Sequence, residues 1–544
     1  MTARLIARTP SAVATQMVIG TILETGVRTS PNQEIVYADK CRMTYLELQQ
    51  RVGRLASALA AAGVKAGDTV AVMDWDTHRY LECFYAIPMM GAVLHTVNVR
   101  LSPEQVLYTI NHAKDDVILV NREFLPLIDA VKDRIETVKT FILLDDEGGD
   151  VPAGFAGEYE ALLAQADSNY AFPELDENTC ATTFYTTGTT GLPKGVYFSH
   201  RQLVLHTFAL RAVTSGDGQG RFNQSDVYMP ITPMFHVHAW GVPYLATLLG
   251  VKQVYPGRYV PEILLKLLVT EKVTFSHCVP TIIQMLLGSE VVRQLDLSKW
   301  KVIIGGSALP KSLAKGAMEM GIDIFTGYGM SETGPVLTLA NLMPHMEEWD
   351  MDAQADVRCR AGRPIPMVDL RIVDGNMNSL PHDGKTQGEI VVRAPWLTQG
   401  YLDDPANSEE LWQGGWLHTG DIGVIDADGY LKITDRIKDV IKTGGEWISS
   451  LDLEGLILQH PGVAECAVIG MPDAKWGERP LALVVKKPDA DVTSEAIQNL
   501  VADFAEKGVI SRYGIPENIK FVDSLPRTSV GKLDKKLMRT EHLG

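Results

Sequence analysis

Cysteine is scarce in this chain of 544 residues, and it is never clustered. A disulfide scaffold or a zinc site needs cysteines at short, repeated spacings. No two of the six cysteines lie within 40 residues of each other, which predicts free thiols in a reducing, cytoplasmic location. They are Cys41, Cys83, Cys180, Cys278, Cys359 and Cys466.

The sequence also lacks a long apolar run. Its most apolar early stretch, Tyr80 to Val97, is interrupted by Glu82 and Pro88. A membrane-spanning helix needs about 18 or more consecutive apolar residues, so we predict no membrane span. The first 23 residues contain Arg4 and Arg8 but no acid, a composition that a transit peptide shares with an ordinary N-terminal segment. We favour the ordinary segment.

Positively charged residues are fewer than negatively charged ones. The chain has 50 lysine and arginine residues and 67 aspartate and glutamate residues, so its formal net charge is −17. Proteins that bind a nucleic-acid backbone usually present a basic surface, so we predict no nucleic-acid partner. The deficit does not exclude a locally basic pocket for a small anion. Hydrophobic residues at 46% and charged residues at 22% are typical of a folded globular chain.

Helical and apolar segments alternate along the first part of the chain. Apolar residues recur at helical spacing between Thr44, a candidate N-cap, and Gly63, a stop signal, which predicts a helix over 44–62. Short apolar runs that read as buried strands alternate with such helices up to about residue 330. This alternation predicts an α/β fold with a largely parallel sheet. The runs include Thr69–Met73, Val117–Val120, Thr140–Leu144, Val273–Phe275 and Lys301–Ile304.

The pattern changes between about residues 360 and 435, where short strand-like segments are separated by turn residues. Examples are Val368–Val373, Gly388–Arg393 and Tyr430–Thr434, and they predict an antiparallel β section. After Asp435 the pattern is mixed again, and we place a domain boundary near Lys438. The predicted domains are therefore 1–437 and 438–544.

The segment Phe184–Val196 concentrates hydroxyl groups, glycines and one lysine. Short donors, little steric bulk and one counter-charge are what a polyphosphate needs for binding. The common P-loop pattern is absent here, and so is Gly-x-Gly-x-x-Gly, so we predict a phosphate loop of another kind. Its residues are Thr186, Thr187, Gly188, Thr189, Thr190, Gly191, Lys194 and Gly195.

Six further segments follow this loop in order, and together they resemble the signature motifs of the adenylate-forming superfamily. That superfamily includes acyl-CoA synthetases, the adenylation domains of peptide synthetases, and firefly luciferase. The resemblance implies a large N-terminal domain of two αβ-layered sheets plus a distorted antiparallel β-barrel, with a small, mobile α+β C-terminal domain. The segments are Pro233–Gly241, Gly305–Ala308, Gly327–Thr333, Trp416–Asp421, Asp435–Glu446 and Pro526–Lys532.

The resemblance also implies a reaction in two halves. A carboxylate attacks the α-phosphate of ATP to give an acyl-adenylate and pyrophosphate, and a thiol, usually that of coenzyme A, then displaces AMP. ATP, Mg²⁺ and coenzyme A are the expected cofactors and co-substrates. Glu332 is implied as the catalytic magnesium ligand, because Mg²⁺ prefers oxygen ligands and one carboxylate plus phosphate oxygens suffices.

The resemblance assigns nucleotide binding to residues from several motifs. Asp421 offers two acceptor oxygens for the vicinal hydroxyls of a ribose, and Arg436 is implied as a second ribose or phosphate contact. Tyr328 would flank the adenine, with core packing as the alternative. Besides the loop residues Thr186, Thr187, Gly188, Thr189, Thr190 and Lys194, the set comprises Gly306, Ser307, Ala308, Tyr328, Gly329, Met330, Ser331, Asp421 and Arg436.

By the same resemblance, the C-terminal domain serves both half-reactions. Lys532 corresponds to the catalytic lysine that bridges the substrate carboxylate and the α-phosphate. Lys438 corresponds to the hinge about which the small domain rotates after adenylation. The pantetheine path of coenzyme A is assigned to Gly444, Gly445, Glu446 and Trp447.

An acyl pocket is expected beside the second motif. The ring of His236 is implied as a catalytic group bordering the carboxylate, and a structural histidine is the alternative. The predicted walls are apolar or neutral and hold no charged group to pair with an ammonium, which argues against an amino-acid substrate. Phe235–Gly241 is most similar to bacterial medium-chain fatty acyl-CoA ligases and their relatives that act on 3-methylthiopropionate. The pocket set is His236, Trp240, Gly241, Val242, Gly305 and Gly306.

The resemblance implies an ATP-dependent ligase that joins a short- or medium-chain carboxylic acid to coenzyme A. The alternative is an adenylation enzyme that loads an acyl or aryl acid onto a carrier protein. A non-catalytic binder would tolerate loss of Lys532, Glu332 or Asp421, and all three are present. The expected partners are small molecules, and a homodimer would be in keeping with the family.

Overall fold

The computed structural model describes residues 4–186, 192–215, 219–443, 446–488, 490–527 and 533–543. Several predicted site residues lie outside these ranges, namely Thr187, Gly188, Thr189, Thr190, Gly191, Gly444, Gly445 and Lys532. Within the described ranges, no helix is long and apolar enough to cross a membrane. All six cysteines are free thiols, as predicted.

The strands, in chain order, are β1 Glu34–Tyr37, β2 Cys41–Thr44, β3 Thr69–Met73, β4 Val93–Thr96, β5 Val117–Asn121, β6 Thr140–Leu144, β7 Phe155–Glu158, β8 Cys180–Thr186, β9 Lys194–Ser199, β10 Val227–Pro230, β11 Lys252–Tyr255, β12 Phe275–Cys278, β13 Lys301–Ile304, β14 Asp323–Gly329, β15 Val336–Leu339, β16 Arg363–Pro364, β17 Asp369–Val373, β18 Gly388–Arg393, β19 Leu417–Ile425, β20 Leu431–Arg436, β21 Ile441–Thr443, β22 Glu446–Ile448, β23 Val463–Asp473, β24 Gly477–Lys486 and β25 Asn518–Phe521.

The helices are α1 Gly20–Thr29, α2 Tyr45–Ala61, α3 His78–Met89, α4 Pro103–Ala113, α5 Leu125–Asp129, α6 Tyr159–Gln165, α7 His200–Ser215, α8 Val237–Trp240, α9 Val242–Leu249, α10 Pro261–Thr270, α11 Pro280–Leu287, α12 Lys311–Glu319, α13 Met351–Arg358, α14 Pro405–Leu411, α15 Ser450–Ile457, α16 Ser494–Glu506 and α17 Lys535–Leu543. Of these, α8 is a single turn whose inner backbone angles are not right-handed.

Two large sheets form the body of the molecule. One has seven strands in the order β7-β6-β5-β3-β4-β8-β9, and the other has nine in the order β16-β15-β14-β13-β12-β10-β11-β1-β2. Pairing is parallel throughout the middle of both sheets and antiparallel only towards their edges. The predicted α/β class with a largely parallel sheet is confirmed.

The start of α2 shows how local sequence sets an element. Thr44 accepts a hydrogen bond from the backbone N–H of Glu47, and the Glu47 carboxylate accepts one from the backbone N–H of Thr44. This capping box satisfies donors that the first helical turn leaves open, and the helix predicted over 44–62 is confirmed. The strand predicted over Val273–Phe275 is displaced, because Lys272 has φ +58° and the chain is still turning, so β12 begins only at Phe275.

An antiparallel sheet of four strands, β17-β18-β19-β20, follows the two large sheets and confirms the predicted antiparallel section. A further sheet, β22-β21-β24-β23 with β25 beside β24, lies beyond the turn at residues 437–439. This last sheet encloses a core of its own, built from residues such as Ile441, Leu453, Val468 and Val501. The C-terminal part therefore has the anatomy of a separate folding unit.

Candidate active site

One cavity of 2870 Å³ opens where strands of the two large sheets end, and it extends to the C-terminal sheet. Ligands in α/β folds commonly bind at the carboxyl ends of the strands, which is where β8, β13 and β14 border this cavity. The lining includes these predicted site residues: Thr186, Lys194, His236, Trp240, Gly305, Gly306, Ser307, Ala308, Tyr328, Gly329, Met330, Ser331, Glu332, Asp421, Arg436 and Lys438.

Four described residues of the predicted site do not line this cavity. A Cβ atom on Gly241 would lie 3.0 Å from the ring of His206, and Val242 is buried in the core. Both follow a turn that directs the chain away from the cavity. Glu446 and Trp447 lie on β22, where both side chains are exposed.

A carboxylate, a phenol and a guanidinium meet at one side of the cavity. The Tyr328 hydroxyl donates to Oδ2 of Asp421 at 2.7 Å, and Nε of Arg436 lies 3.2 Å from Oδ1. Asp421 and Arg436 are direct cross-strand partners on β19 and β20, so strand register creates this pair. The negative charge of Asp421 raises the pKa of Arg436, which keeps the guanidinium charged.

Asp421 retains capacity for a ligand despite these contacts. A carboxylate offers about four acceptor sites, and Tyr328 and Arg436 each occupy one. Its side chain is nearly buried, yet it lines the cavity. The arrangement suits the vicinal hydroxyls of a ribose, each of which donates one hydrogen bond.

Glu332 is a buried carboxylate at the cavity wall, in the short turn that follows β14. The Tyr401 hydroxyl donates to its Oε1 at 2.8 Å. Burial raises the pKa of Glu332 above its ordinary value, although the hydrogen bond from Tyr401 opposes this shift. Among the described residues, Glu332 forms no ion pair with a lysine or arginine within 4 Å, and Arg436 and Lys194 act on it only from a greater distance. A buried carboxylate that faces a cavity in this way is a suitable ligand for a bound cation.

The described residues hold no cluster of three or more His, Cys, Asp or Glu that could bind a metal on its own. A magnesium site here would therefore depend on Glu332 together with oxygens of the substrate. This composition fits Mg²⁺, which usually retains several waters and binds through one or two carboxylates plus phosphates.

Lys194 begins β9 directly opposite Thr186, the last residue of β8. Both lie at the open end of the β8–β9 pair and at the cavity. The Lys194 ammonium donates to Oδ1 of Asn407 at 2.8 Å and lies 4.6 Å from the centre of the Tyr401 ring. These two contacts hold the ammonium group of Lys194 at the cavity wall.

Tyr401 and Asn407 are site residues that the sequence did not predict. Tyr401 contacts both Lys194 and Glu332, and Asn407 holds the ammonium of Lys194. Neither residue belongs to any of the motifs, and no spacing in the sequence singles them out. Only the packing of the segment after β18 against the β8–β9 pair brings them to the site.

Trp240 and Gly305 also line the cavity, and neither carries a charge. A Cβ atom on Gly305 would lie 2.9 Å from the Trp240 ring, so the indole rests directly on the glycine backbone. On another side, the Trp240 ring lies 5.0 Å from the ring of His277, centre to centre. His236, half-buried, lines the cavity at the start of the same turn.

The loop after β13 exposes backbone towards the cavity. Gly306 has φ +79°, a conformation that glycine adopts without the penalty that a Cβ imposes. Ser307 and Ala308 follow it, and both are exposed. Backbone groups and short side chains at this position can approach a planar ligand closely.

Helix α17 ties the end of the chain to the region of the predicted hinge. Lys535 is buried, with its ammonium 2.7 Å from Glu454 and 2.6 Å from the Ser450 hydroxyl, and the Ser450 N–H donates to Asp435. Arg539, one turn later, donates to the carbonyl of Lys438 and pairs with Asp439.

Lys438 itself lies in an exposed turn between β20 and β21. Arg527 and Leu533, which flank the undescribed residues 528–532, form an antiparallel bridge. The chain therefore enters and leaves the segment that contains Lys532 at one place.

The sequence matches two family models. One, described as AMP-binding enzyme, matches residues 23–402, and the other, described as AMP-binding enzyme C-terminal domain, matches residues 452–532. The turn at Lys438 lies between the two matched regions.

Several relatives are similar over nearly their whole length. The chain is 42% identical to a long-chain-fatty-acid–CoA ligase of Thermus thermophilus, over 92% of this chain and 90% of that protein. It is 39% identical to a 3-methylmercaptopropionyl-CoA ligase of Ruegeria lacuscaerulensis, over 96% and 97%. It is 37% identical to a medium-chain-fatty-acid–CoA ligase of Ectopseudomonas oleovorans, over 97% and 96%.

Solved structures share the fold at lower sequence identity. The anthranilate CoA ligase AuaEII in complex with anthranoyl-AMP superimposes with a TM-score of 0.85 at 24% identity, over 97% of this chain and 98% of that one. ATP-bound MatB from Rhodopseudomonas palustris superimposes with a TM-score of 0.83 at 25% identity, over 97% and 99%.

Proposed function

This chain belongs to the AMP-binding enzyme family, and we propose that it is an ATP-dependent ligase that converts a short- or medium-chain carboxylic acid into its acyl-CoA. The acid first becomes an acyl-adenylate with release of pyrophosphate, and coenzyme A then displaces AMP. Relatives named as CoA ligases of fatty and sulfur-bearing acids support this assignment.

A single observation carries the proposal. One cavity joins the Asp421–Tyr328–Arg436 group, which suits a nucleoside, to the apolar wall of Trp240 and Gly305, which suits an acyl chain. Glu332 borders the same cavity. A carboxylic acid and the α-phosphate of ATP can meet there without leaving the protein.

Repulsion between the acid and the triphosphate must be overcome in the adenylation step, and positive groups at the transferring centre do this. Lys194 supplies a charge near the phosphate loop, and Arg436 supplies another near the ribose. Mg²⁺, when bound, would neutralise phosphate charge and be held by Glu332. Lys532, assigned by the family resemblance, would contact the acid carboxylate and the α-phosphate.

We propose an aliphatic or sulfur-bearing acid of short to medium length as the substrate. Trp240 limits the space beside Gly305, and neither residue carries a charge that could pair with an ammonium. The relatives include ligases for long-chain, medium-chain and 3-methylmercaptopropionic acids. Aryl acids stay as an alternative, because an apolar pocket discriminates mainly by size.

The second half-reaction would use another orientation of the C-terminal unit. We propose that the turn at Lys438 is the hinge, because it is exposed and joins β20 to β21. Hinges are a few loop residues that absorb large changes in backbone dihedral angles. Glu446 and Trp447 on β22 lie away from the cavity in the present arrangement. We propose that they line the pantetheine path after the rotation, together with Gly444 and Gly445, which the family resemblance assigns to it.

A panel of carboxylic acids tests this function directly. Each acid is incubated with ATP, Mg²⁺ and coenzyme A, and the release of AMP and pyrophosphate is measured. We expect turnover that needs both acid and coenzyme A and is greatest for aliphatic or methylthio acids of short to medium length. If none of the acids in the panel led to pyrophosphate release, the proposal would be contradicted.

A second arm separates the carrier-protein alternative. The same panel is run with a phosphopantetheinylated carrier protein in place of coenzyme A. We expect acyl transfer to coenzyme A to be at least as fast as acyl transfer to the carrier protein. Transfer to the carrier alone would favour the alternative.

A further inference from the structure

The turn that carries Trp240 has an unusual backbone. Val237, His238, Ala239 and Trp240 have φ values of +49°, +52°, +46° and +59°. Side chains disfavour this left-handed region because the Cβ crowds a carbonyl oxygen, and branching at Val237 aggravates the crowding. A run of such residues persists only where surrounding contacts over-determine it, and these runs are found at functional sites.

Hydrogen bonds fix the chain on the approach to this turn. The Met234 N–H donates to Oδ1 of Asp76 at 2.8 Å, and the Phe235 carbonyl accepts from the Thr96 hydroxyl at 2.9 Å. Both contacts lie before residue 237. They anchor the entry to the turn. At its exit the Gly241 N–H donates to the His238 carbonyl at 3.0 Å, and the left-handed residues between these points need side-chain support.

The His238 side chain provides that support. Its imidazole is buried, with ring centres of Phe84 at 5.3 Å, Phe184 at 5.2 Å and Tyr244 at 5.9 Å. Its Nε2 lies 2.8 Å from the Thr182 hydroxyl. The three rings and the hydroxyl together fix the plane and the direction of the imidazole.

The direction of this hydrogen bond follows from its neighbours. The Thr182 hydroxyl has one proton, which it donates to the Leu94 carbonyl at 2.9 Å. It therefore accepts from His238, whose Nε2 carries the hydrogen. Burial lowers the pKa of His238 to about 3, so the ring is neutral at neutral pH and acts as a fixed donor.

Thr182 and Phe184 lie on β8, the strand that ends at Thr186 on the cavity wall. The turn held by His238 has His236 before it and Trp240 at its end, and both line the same cavity. His238 itself is not among the lining residues. Its only route to a substrate is through the residues that it positions.

We propose, on the basis of the proposed ligase function, that His238 is a positioning residue of the acid site. Its hydrogen bond to Thr182 holds residues 237–240 in the left-handed turn that places the Trp240 indole on Gly305. Loss of the donor lets the turn relax, and Trp240 moves off the glycine. The nucleotide group around Asp421 is built on β14, β19 and β20 and is left in place.

Paired substitutions test the hydrogen bond rather than the residue. His238→Leu and Thr182→Val each remove one partner, whereas His238→Gln keeps an N–H at the end of the side chain and Thr182→Ser keeps the hydroxyl. We expect the first two to raise the KM for the acid about tenfold and to broaden the range of accepted acids, with the KM for ATP nearly unchanged. The Gln and Ser variants should stay close to wild type.

A double variant isolates the pair. Because both single changes remove the same contact, His238→Leu combined with Thr182→Val should cost no more acid affinity than either alone. Independent, additive losses would contradict a direct hydrogen bond between the two side chains.

His200→Leu is the matched control. His200, the first residue of α7, is also buried and accepts a hydrogen bond from the Ile19 N–H. It should lower thermal stability and leave the acid profile unchanged. If His238→Leu gives that same result, His238 is structural only and the proposal is overturned.

A crystal structure of the Thr182→Val variant gives a readout independent of turnover. The proposal would be overturned if residues 237–240 kept their positive φ values in this variant and Trp240 still rested on Gly305. A wild-type protein that activates no acid would instead overturn the proposed ligase function.

Discussion

Asp421 is the residue on which the nucleotide assignment most directly depends. Its carboxylate is shared between Tyr328 and Arg436, and the vicinal hydroxyls of a ribose would add to these contacts. Asp421→Ala removes a charged acceptor and leaves Arg436 without this partner. We expect the affinity for ATP to fall more than about tenfold and that for the acid far less, as measured by calorimetric titration of each ligand.

Tyr328→Phe is the matched control for this experiment. It deletes one hydrogen bond to Asp421 but keeps the carboxylate and the aromatic face, so it should weaken ATP binding less than Asp421→Ala does. An unchanged ATP affinity in the Asp421 variant would remove this residue from the ribose site.

Trp240 sets the space available to the acyl group. Its indole is enclosed between Gly305 and His277, and Trp240→Ala would open that volume to the cavity. We expect the preferred acid to become longer or bulkier, measured as kcat/KM across an acid series. Gly305→Ala is the converse change, because its methyl group would collide with the indole and should reduce the largest acid accepted. If both variants kept the acid profile of the wild type, Trp240 would not be part of the acyl pocket.

The sequence predicted some site residues by motif and missed others for a physical reason. Thr186, Lys194, Glu332 and Asp421 occur within motifs, and all four line the cavity. Tyr401 reaches Glu332 across 69 residues of sequence, and Asn407 reaches Lys194 across 213. Contacts this distant are created by packing between elements, which has no local signature.

Adjacency in sequence was a poor guide at the acyl pocket. Gly241 and Val242 follow Trp240 directly and were predicted to line the pocket with it. The left-handed turn over residues 237–240 rotates the chain, so that Gly241 faces His206 instead. Four side-chain-bearing residues in that conformation cannot be anticipated from propensity, because propensity disfavours each of them.

Among the elements, α17 links the predicted catalytic lysine to the predicted hinge. Lys535→Met removes a buried ammonium and leaves Glu454 buried without its partner, a change that typically costs about 3–5 kcal/mol. We expect the C-terminal unit to melt at a lower temperature by calorimetry and pyrophosphate release to fall, because α17 follows shortly after Lys532.

A second substitution separates charge from packing at this position. Glu454→Gln combined with Lys535→Met removes both charges of the pair. It should recover part of the lost stability because position 454 no longer holds an unpaired carboxylate, although Asp435 still loses the favourable charge of Lys535. A double variant less stable than Lys535→Met would show that the pair does not act through its charge.

Element boundaries were predictable where local hydrogen bonding decides them. The capping box at Thr44 and Glu47 marks the start of α2 in the sequence as clearly as in the structure. At β12 the predicted start was two residues early, since the left-handed backbone of Lys272 delays the strand and no residue type there signals it.

At the scale of the whole molecule, the central prediction concerns two half-reactions that share one cavity. We expect Lys532→Ala to abolish pyrophosphate release from acid and ATP, yet to leave the synthesis of acyl-CoA from preformed acyl-adenylate largely intact. The reason is that the proposed rotation removes this lysine before the thiol arrives. Both steps are measured separately by supplying either ATP or the synthetic adenylate.

Lys536→Ala serves as the control, because Lys536 is an exposed lysine nearby in the sequence. It should support both half-reactions at rates close to wild type. Equal losses of both steps in Lys532→Ala would contradict the two-state assignment.

The overall class was predictable because it depends on repeated local patterns. Alternating helices and apolar runs predicted an α/β fold, and the change of pattern after residue 360 predicted the antiparallel sheet. The net charge of −17 predicted no nucleic-acid partner, which stays a prediction. It carried no information about the cavity, where a few local charges such as Lys194 and Arg436 matter. The boundary near Lys438 stays a prediction.

The turn at Lys438 has a consequence for proteolysis. Trypsin cuts after lysine, and an exposed turn between two folding units is a favoured point of attack. Here Arg539 holds the carbonyl of the bond that would be cut, so cleavage must wait until α17 releases the turn. The rate of nicking at Lys438 would then report how often α17 releases this turn, and a ligand that stabilises the contact between Arg539 and Lys438 would lower that rate without any chemistry.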